Sequence, residues 1–244
     1  MNMHRSVNIQ NSLPDDIALK IASSLQVIDL CSLGSCSRFW RDLCGSDCVW
    51  EALSKERWPQ FTSHQEIDSN SKGWKGFYIS KHNEMAGKAA SIASFVERAL
   101  AYESIEVGNY LKAIELLNSL QFGFEDIQMF FLKPQLNVLL NLVGLHYCII
   151  WLDVPAEYVI EALNSSKVSE REVCVQWWKL GRWFYGFRLR DEFHSRNSSL
   201  EAIAVCNEEV LGVLKRGAVH EVIRVQISAA KPTHKSWSCQ VAQV

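Results

Sequence analysis

Proline and glycine are scarce in this 244-residue sequence, which contains five prolines and twelve glycines. Both residue types mark tight turns, so their scarcity predicts a helix-rich protein with few such turns. Nine tryptophans, eleven phenylalanines and six tyrosines favour a well-packed core. The expected fold class is therefore all-α, a short helical module followed by an irregular helical bundle, with one short strand near residues 221–228.

The sequence also lacks an excess of charge of either sign. Lys and Arg number 25 against 27 Asp and Glu, which gives a net charge of -2. This balance excludes a broad polyanion-binding surface, and we do not expect nucleic acid as a partner. With 48% hydrophobic and 21% charged residues, the chain is neither generally disordered nor a disulfide-stapled miniprotein.

No apolar run follows Arg5 near the N-terminus, so the sequence shows no secretory signal. We therefore expect a reducing intracellular compartment, the cytoplasm or the nucleus, and eight free cysteines. Four cysteines lie close together in sequence, but they miss the short C-x2-C spacing of zinc sites and have no histidine nearby. We predict small buried thiols here, and neither a metal nor a cofactor; the four are Cys31, Cys36, Cys44 and Cys48.

A membrane-spanning run is missing as well. The most apolar stretch, Val138 to Leu152, has fifteen residues and contains Asn141 and His146, whereas a span needs about twenty apolar residues. We predict a central helix that is buried on all sides, and no membrane partner.

Motifs for catalysis are absent too. The sequence has no glycine-rich phosphate loop, no G-x-S-x-G and no H-E-x-x-H. His146 and Cys148 are two residues apart, so on a helix they do not face each other as a base and a nucleophile. We therefore expect a protein that is not an enzyme.

Composition divides the chain into five segments. We expect a flexible N-terminus at 1–11, a helical module at 12–59, a polar connector at 60–86, a helical domain at 87–228 and a flexible tail at 229–244. Two capping-box patterns predict helix starts in the fourth segment. The first runs from Ser169 to a stop at Gly181, and the second runs from Ser198 to about Gly217.

Residues 12–59 contain several apolar and aromatic positions at fixed spacings. Leu-Pro opens the segment, Asp-Leu lies in its middle, and a Cys-x-x-x-Trp segment and a late Trp follow. This pattern resembles the F-box motif over about forty-five residues without an internal gap. Gly34-Ser35 and Asp15-Asp16 depart from the residues usual in that motif, and neither change removes an apolar anchor.

The resemblance implies that the module docks on a Skp-type adaptor and, through it, on a cullin-RING ubiquitin ligase. Such a receptor holds a protein target near a conjugating enzyme that carries ubiquitin, and so contributes proximity. The resemblance therefore implies that the helical domain at 87–228 recruits the target. The alternative is a helical scaffold that binds a Skp-type protein without promoting ubiquitination. By the resemblance, the adaptor surface and the module core come from Leu13, Pro14, Ile17, Ile21, Leu25, Leu30, Leu33, Trp40 and Trp50. The segment from Gly73 to Tyr78 also resembles the aromatic stretch that often follows an F-box.

Aromatic and arginine residues alternate between Trp177 and Arg196. Such a segment could bind an acidic or phosphorylated peptide, or stack single-stranded nucleic acid. The interpretation that we favour from sequence is a core helix whose arginine stems cover aromatic faces. The candidate target-binding residues are Arg182, Trp183, Arg188 and Arg190.

Overall fold

The computed structural model describes residues 13–59, 73–206, 208–218 and 221–230. The chain divides into two compact units, residues 1–85 and 86–244, and the boundary falls inside a long helix. The predicted flexible N-terminus, residues 60–72 of the predicted connector and the predicted tail from residue 231 lie outside the described residues.

Short helices build the first unit. Pro14 precedes the first of them, and Asp15 and Asp16 in its first turn lie at the positive end of the helix dipole. The Ser37 hydroxyl accepts a hydrogen bond from the backbone N–H of Trp40 at 3.3 Å and caps the third helix. The helices predicted for this module are confirmed as α1 (Asp15–Ser23), α2 (Val27–Cys36), α3 (Arg38–Cys44) and α4 (Asp47–Arg57), and the N-terminal part of α5 (Gly73–Ala99) completes the unit.

The second unit combines helices with an antiparallel sheet. After the rest of α5, its elements in chain order are β1 (Ser104–Glu106), α6 (Val107–Ser119), α7 (Phe124–Phe130), α8 (Val138–Ile150), α9 (Ala156–Ser165), β2 (Glu172–Lys179), β3 (Trp183–Phe184), β4 (Phe187–Arg188), β5 (Glu192–Ser199), α10 (Leu200–Cys206), α11 (Glu208–Arg216) and β6 (Val222–Ala229). Four strands form one sheet in the order β1-β6-β2-β5, and β3 and β4 form a separate two-stranded sheet. The unit is therefore of mixed α and β structure.

The predicted all-α fold class is wrong, and the clearest correction lies in β2. We expected a helix from Ser169 to Gly181, but Val173, Val175 and Trp177 are buried at every second position, which is the period of a strand. Strands β5 and β6 pair with β2 on its two sides. The strand predicted near 221–228 is confirmed as β6.

A helix starts close to the second predicted capping box, but its cap is Ser199 and not Ser198. Helix α10 begins at Leu200, and the Ser199 hydroxyl accepts a hydrogen bond from the backbone N–H of Ala202 at 3.1 Å. The helical stretch that we expected to run on to about Gly217 consists of two helices, α10 and α11.

Helix α8 is the buried centre of the second unit. All residues from Val138 to Cys148 are buried, which confirms the predicted central helix. In the described ranges, no helix has both the length and the apolar character that crossing a membrane requires.

A buried amide ties α8 to the loop before it. The Asn141 side chain donates hydrogen bonds to the carbonyls of Phe131 at 2.6 Å and Lys133 at 3.1 Å. Its oxygen accepts from Arg171 at 2.5 Å, and the same guanidinium nitrogen donates to the carbonyl of Leu136 at 2.7 Å. Each polar group of the amide therefore has a partner, as burial requires.

A second buried polar pair lies farther along α8. The Tyr110 hydroxyl is 2.8 Å from Nδ1 of His146, and the two rings stack at 5.6 Å. Burial, with a smaller contribution from Lys215, lowers the pKa of His146 from 6.5 to about 4. The imidazole is therefore neutral in the folded protein at neutral pH.

We predict that this histidine makes the folded protein sensitive to acid. Its folded pKa lies below its unfolded value, so the unfolded chain binds the extra proton first and stability falls as the pH drops from 6.5 towards 4. The expected loss between pH 7 and pH 5 is about 2 kcal/mol from this group. Urea unfolding of wild type and His146→Gln at both pH values measures it. An equal loss in the variant would contradict the assignment to His146.

Candidate functional site

Three isoleucines are exposed on the first two helices. Ile17 and Ile21 lie one turn apart on α1 and are 48% and 41% exposed, while Ile28 on α2 is 78% exposed. On the neighbouring side of α1, Ala18 and Ala22 are fully buried. We call Ile17, Ile21 and Ile28 the isoleucine face.

The nine residues that sequence analysis assigned jointly to adaptor surface and core separate by burial. Leu30 and Trp50 are buried, whereas Ile17, Ile21 and Pro14 are exposed. The remaining four are half-buried: Leu13, Leu25, Leu33 and Trp40.

Ile28 is not among the residues predicted from the sequence. It lies outside the Leu30 and Leu33 pattern that the resemblance singles out, and the only signal in the sequence is an apolar residue out of register with the buried stripe.

An aromatic cluster fixes α4 to the start of α5 within the first unit. The indole N–H of Trp50 donates to the carbonyl of Cys44 at 2.8 Å, and its ring meets Tyr78 edge-on at 5.3 Å. Arg57 donates to the Tyr78 hydroxyl at 2.7 Å and lies 4.6 Å from the centroid of the Trp58 ring. The buried guanidinium is thus held by a hydrogen bond and by cation–π contact.

A close contact between Asp47 and the backbone at Gly73 and Trp74 fixes the start of α5. The Asp47 carboxylate accepts a hydrogen bond from the backbone N–H of Trp74 at 2.9 Å. Gly73 has a φ of +72°, and a Cβ at this position would lie 2.5 Å from an Asp47 oxygen. Only glycine combines this backbone conformation with this distance.

Of the four cysteines predicted to be buried, Cys44 is buried, whereas Cys31, Cys36 and Cys48 are exposed. A cleft of about 370 Å³ is lined by Cys31 and Cys44 together with Arg41, Lys75 and Trp50, among others. Burial raises the pKa of the Cys44 thiol. In the described part of the chain, no group of three or more Cys, His, Asp or Glu residues is arranged to hold a metal ion.

The arginine-aromatic segment is a β-hairpin extension, which we call the arm (residues 180–191). Strands β2 and β5 pair along their whole length, and β3 and β4 continue the chain beyond them. Tyr185 and Gly186 both have positive φ values and turn the chain at the tip. The helix with arginine-covered aromatic faces that we favoured from sequence is therefore wrong.

Large aromatic side chains are exposed along the arm. Trp183 is 73% and Tyr185 87% exposed, and Phe184 and Phe187 are also largely in solvent. In the two-stranded register, Trp183 is opposite Arg188 and Phe184 is opposite Phe187. The two faces of the arm thus differ, because one carries an aromatic–arginine pair and the other two phenylalanines.

The base of the arm is held closed by polar contacts. The Asp191 carboxylate accepts hydrogen bonds from the backbone N–H of Gly181 at 2.9 Å and from Arg188 at 2.8 Å. These two bonds lower the pKa of Asp191. A Cβ on Gly181 would lie 2.0 Å from the carbonyl oxygen of Leu189, so only glycine allows the two backbone segments to approach this closely.

All four candidate target-binding residues lie on the exposed arm. Arg182 pairs with Glu221 at 3.0 Å, and Arg188 pairs with Asp191. Trp183 and Arg190 are exposed. The structure therefore brings these residues onto one hairpin, where their side chains reach solvent.

The two residues considered for nucleophilic chemistry are buried in α8. Burial raises the pKa of the Cys148 thiol to about 12, so it stays protonated at neutral pH. The Nδ1 atom of His146 faces the Tyr110 hydroxyl instead.

Comparison with known families agrees with the resemblance of the first unit. Residues 10–56 match the F-box-like family model, which confirms the F-box resemblance for this segment of the chain. No curated protein matches the sequence, and no solved structure matches it.

We predict that truncating a buried residue of the first unit lowers its free energy of unfolding much more than truncating the exposed isoleucines. Leu30→Ala should lower the free energy of unfolding by about 2–5 kcal/mol because it opens a cavity in a buried site. Ile17→Ala with Ile21→Ala should change it by about 0.5 kcal/mol per site, because both side chains already face solvent. Urea unfolding measures both, and comparable losses would contradict the division into face and core.

Proposed function

We propose that this chain, which carries an F-box-like domain at residues 10–56, is a substrate receptor of a Skp-cullin-F-box ubiquitin ligase. In this proposal the first unit docks on a Skp-type adaptor and the second unit holds a protein target. The chain itself carries out no covalent chemistry, and its contribution is to raise the concentration of target near the conjugating enzyme. It acts in the cytoplasm or the nucleus.

The observation that carries the proposal is the F-box-like domain together with its isoleucine face. Three exposed isoleucines on two consecutive helices leave apolar surface in water, and exposed apolar surface is typical of an interaction site. A module of four short helices also has little core of its own, so a partner that covers this face would stabilise it.

The arm supports the second part of the proposal. Exposed Trp, Tyr and Arg side chains are the residue types that dominate binding energy at protein interfaces. Here they stand on a hairpin whose base is fixed by Asp191 and Gly181, so less conformational freedom is lost on binding than with an unstructured loop.

We predict that charge on the isoleucine face abolishes adaptor binding. Ile17→Asp with Ile21→Asp should remove co-purification of the full chain with a Skp-type adaptor, because a buried unpaired carboxylate is strongly unfavourable at an apolar interface. Ile79→Asp is the matched control, since Ile79 is 49% exposed on α5 of the same unit and outside the face.

Two results would contradict this part of the proposal. One is a wild-type chain that never co-purifies with the adaptor. The other is equal loss of binding in the Ile79→Asp control, which would place the adaptor surface elsewhere or indicate unfolding, as circular dichroism would report.

We further predict that variants of the isoleucine face and variants of the arm lengthen the half-lives of the same cellular proteins. Protein half-lives are measured across the proteome in cells expressing wild type, Ile17→Asp with Ile21→Asp, or Trp183→Ser with Phe187→Ser on the arm. Proteins whose half-lives are longer with the isoleucine variant than with wild type should also have longer half-lives with the arm variant. Half-lives that change with neither variant would favour a scaffold that does not promote degradation.

A further inference from the structure

A cleft of about 360 Å³ lies at the base of the arm in the second unit. Strand β2, helix α11 and the start of β6 supply its walls. Its apolar lining comes from Trp177, Val213 and Val222, and Gly217 also lines it. The charged residues that line it are Lys179, Glu209, Arg216 and Glu221.

The acidic residues that line the cleft have ion-pair partners, whereas the basic residues have none among the described residues. Both carboxylates have arginine partners, since Glu221 pairs with Arg182 at 3.0 Å and Glu209 with Arg196 at 3.5 Å. Among the described residues, the Lys179 ammonium has no hydrogen bond or ion pair. Arg216 donates through Nε to a carbonyl of its own helix. The lining therefore offers cationic groups to an entering anion.

Trp177 lines the cleft and carries a buried, unsatisfied donor. Its side chain is 1% exposed, and its indole N–H has no hydrogen-bond partner among the described residues. His194 stacks on the ring at 5.2 Å without accepting this proton. A buried N–H without an acceptor is uncommon in folded proteins and costs stability. A polar ligand beside Trp177 would supply the missing acceptor.

The cleft and the arm form one continuous surface. The backbone N–H of Leu180, the first residue of the arm, donates to the carbonyl of Glu221 at 2.7 Å. The Arg182 side chain of the arm pairs with the carboxylate of the same residue. From Lys179 to Asp191 the chain has four basic residues and one acidic residue, so positive charge predominates along this surface.

We infer that the cleft and the arm bind an acidic, extended segment of the protein target. A Glu or Asp side chain of that segment enters the cleft, where Lys179 and Arg216 neutralise it and the Trp177 N–H can donate to it. Neighbouring apolar residues of the segment pack on Trp183 and the other arm aromatics. The inference deepens the proposed function, on which it rests, by naming the chemistry of the target.

The test uses the full chain and fluorescein-labelled peptide libraries with mixed positions. One library has a central run of glutamates, and two matched libraries have glutamine or lysine in its place. Fluorescence anisotropy should report binding of the glutamate library at least tenfold tighter than the glutamine library, and no binding of the lysine library. Equal binding of the glutamate and glutamine libraries would overturn the inference.

Variants locate the site. Lys179→Met with Arg216→Met should reduce binding of the glutamate library at least tenfold. Lys215→Met is the matched control, because Lys215 is an exposed cation next to Arg216 that does not line the cleft. The control should bind as wild type does. Equal losses in both variants would mean that only net charge matters, which would overturn the assignment to the cleft.

The Trp177 proton gives a direct readout. In a ¹⁵N–¹H spectrum its indole signal, assigned by its disappearance in Trp177→Phe, should move downfield when the glutamate library is added. An unmoved Trp177 signal under saturating peptide would overturn the role given to this residue. Free glutamate at the same concentration should leave the signal unmoved, and a full shift with free glutamate would identify a small-molecule site instead.

Two further measurements separate this inference from its alternatives. Vesicles of anionic lipid should not bind the chain, and vesicle binding that is lost in Trp183→Ser with Phe187→Ser would replace the peptide with a membrane surface. Adaptor co-purification is independent of all these measurements. A chain that binds the adaptor but not acidic peptide fails this inference alone, and one that binds acidic peptide but not the adaptor fails the proposed function.

Discussion

The pairing of β2 with β5 and β6 is the constraint on which the second unit depends. It places Val173, Val175 and Trp177 on one side of the sheet, where they are buried together with Val225 and Ile227 of β6. The same pairing carries the chain past the end of the sheet and back, and so produces the arm. The features that we assign to target binding therefore follow from one set of strand contacts.

The first unit is organised by a different interaction, the burial of large aromatic rings. Trp50, Trp58 and Tyr78 pack against one another around the Arg57 guanidinium. This packing secures α4 to α5 and leaves the exposed side of α1 and α2 without a role in the core. The isoleucine face can therefore be covered by a partner without rearrangement of the core.

Much of the first unit could be predicted from sequence because its signals are local. Capping residues, an apolar period and fixed spacings of Leu, Pro and Trp located the helices and the family resemblance. The division between face and core could not be predicted, since Ile17 and Leu30 have the same apolar character and differ only in what packs against them.

In the second unit, local signals led to a wrong prediction at β2. A capping-box pattern at Ser169 and Glu172 predicted a helix, but the strand is stabilised by partners far away in sequence, such as Ile227 opposite Val175. Tertiary contacts of this kind override local propensity. The candidate residues Arg182, Trp183, Arg188 and Arg190 lie on a hairpin and not on the helix that we expected, and their role in target binding stays a prediction. The cleft at Trp177 had no sequence signal, because its walls come from three separate elements.

The most direct test of the account is calorimetry of the purified full chain with a purified Skp-type adaptor. We predict one-to-one binding with a negative heat-capacity change, since burial of the isoleucine face removes apolar surface from water. Ile17→Asp with Ile21→Asp should abolish the heat of binding, and Ile79→Asp should retain it. A folded wild-type chain that gives no binding heat at any temperature between 10 and 35 °C would contradict the account.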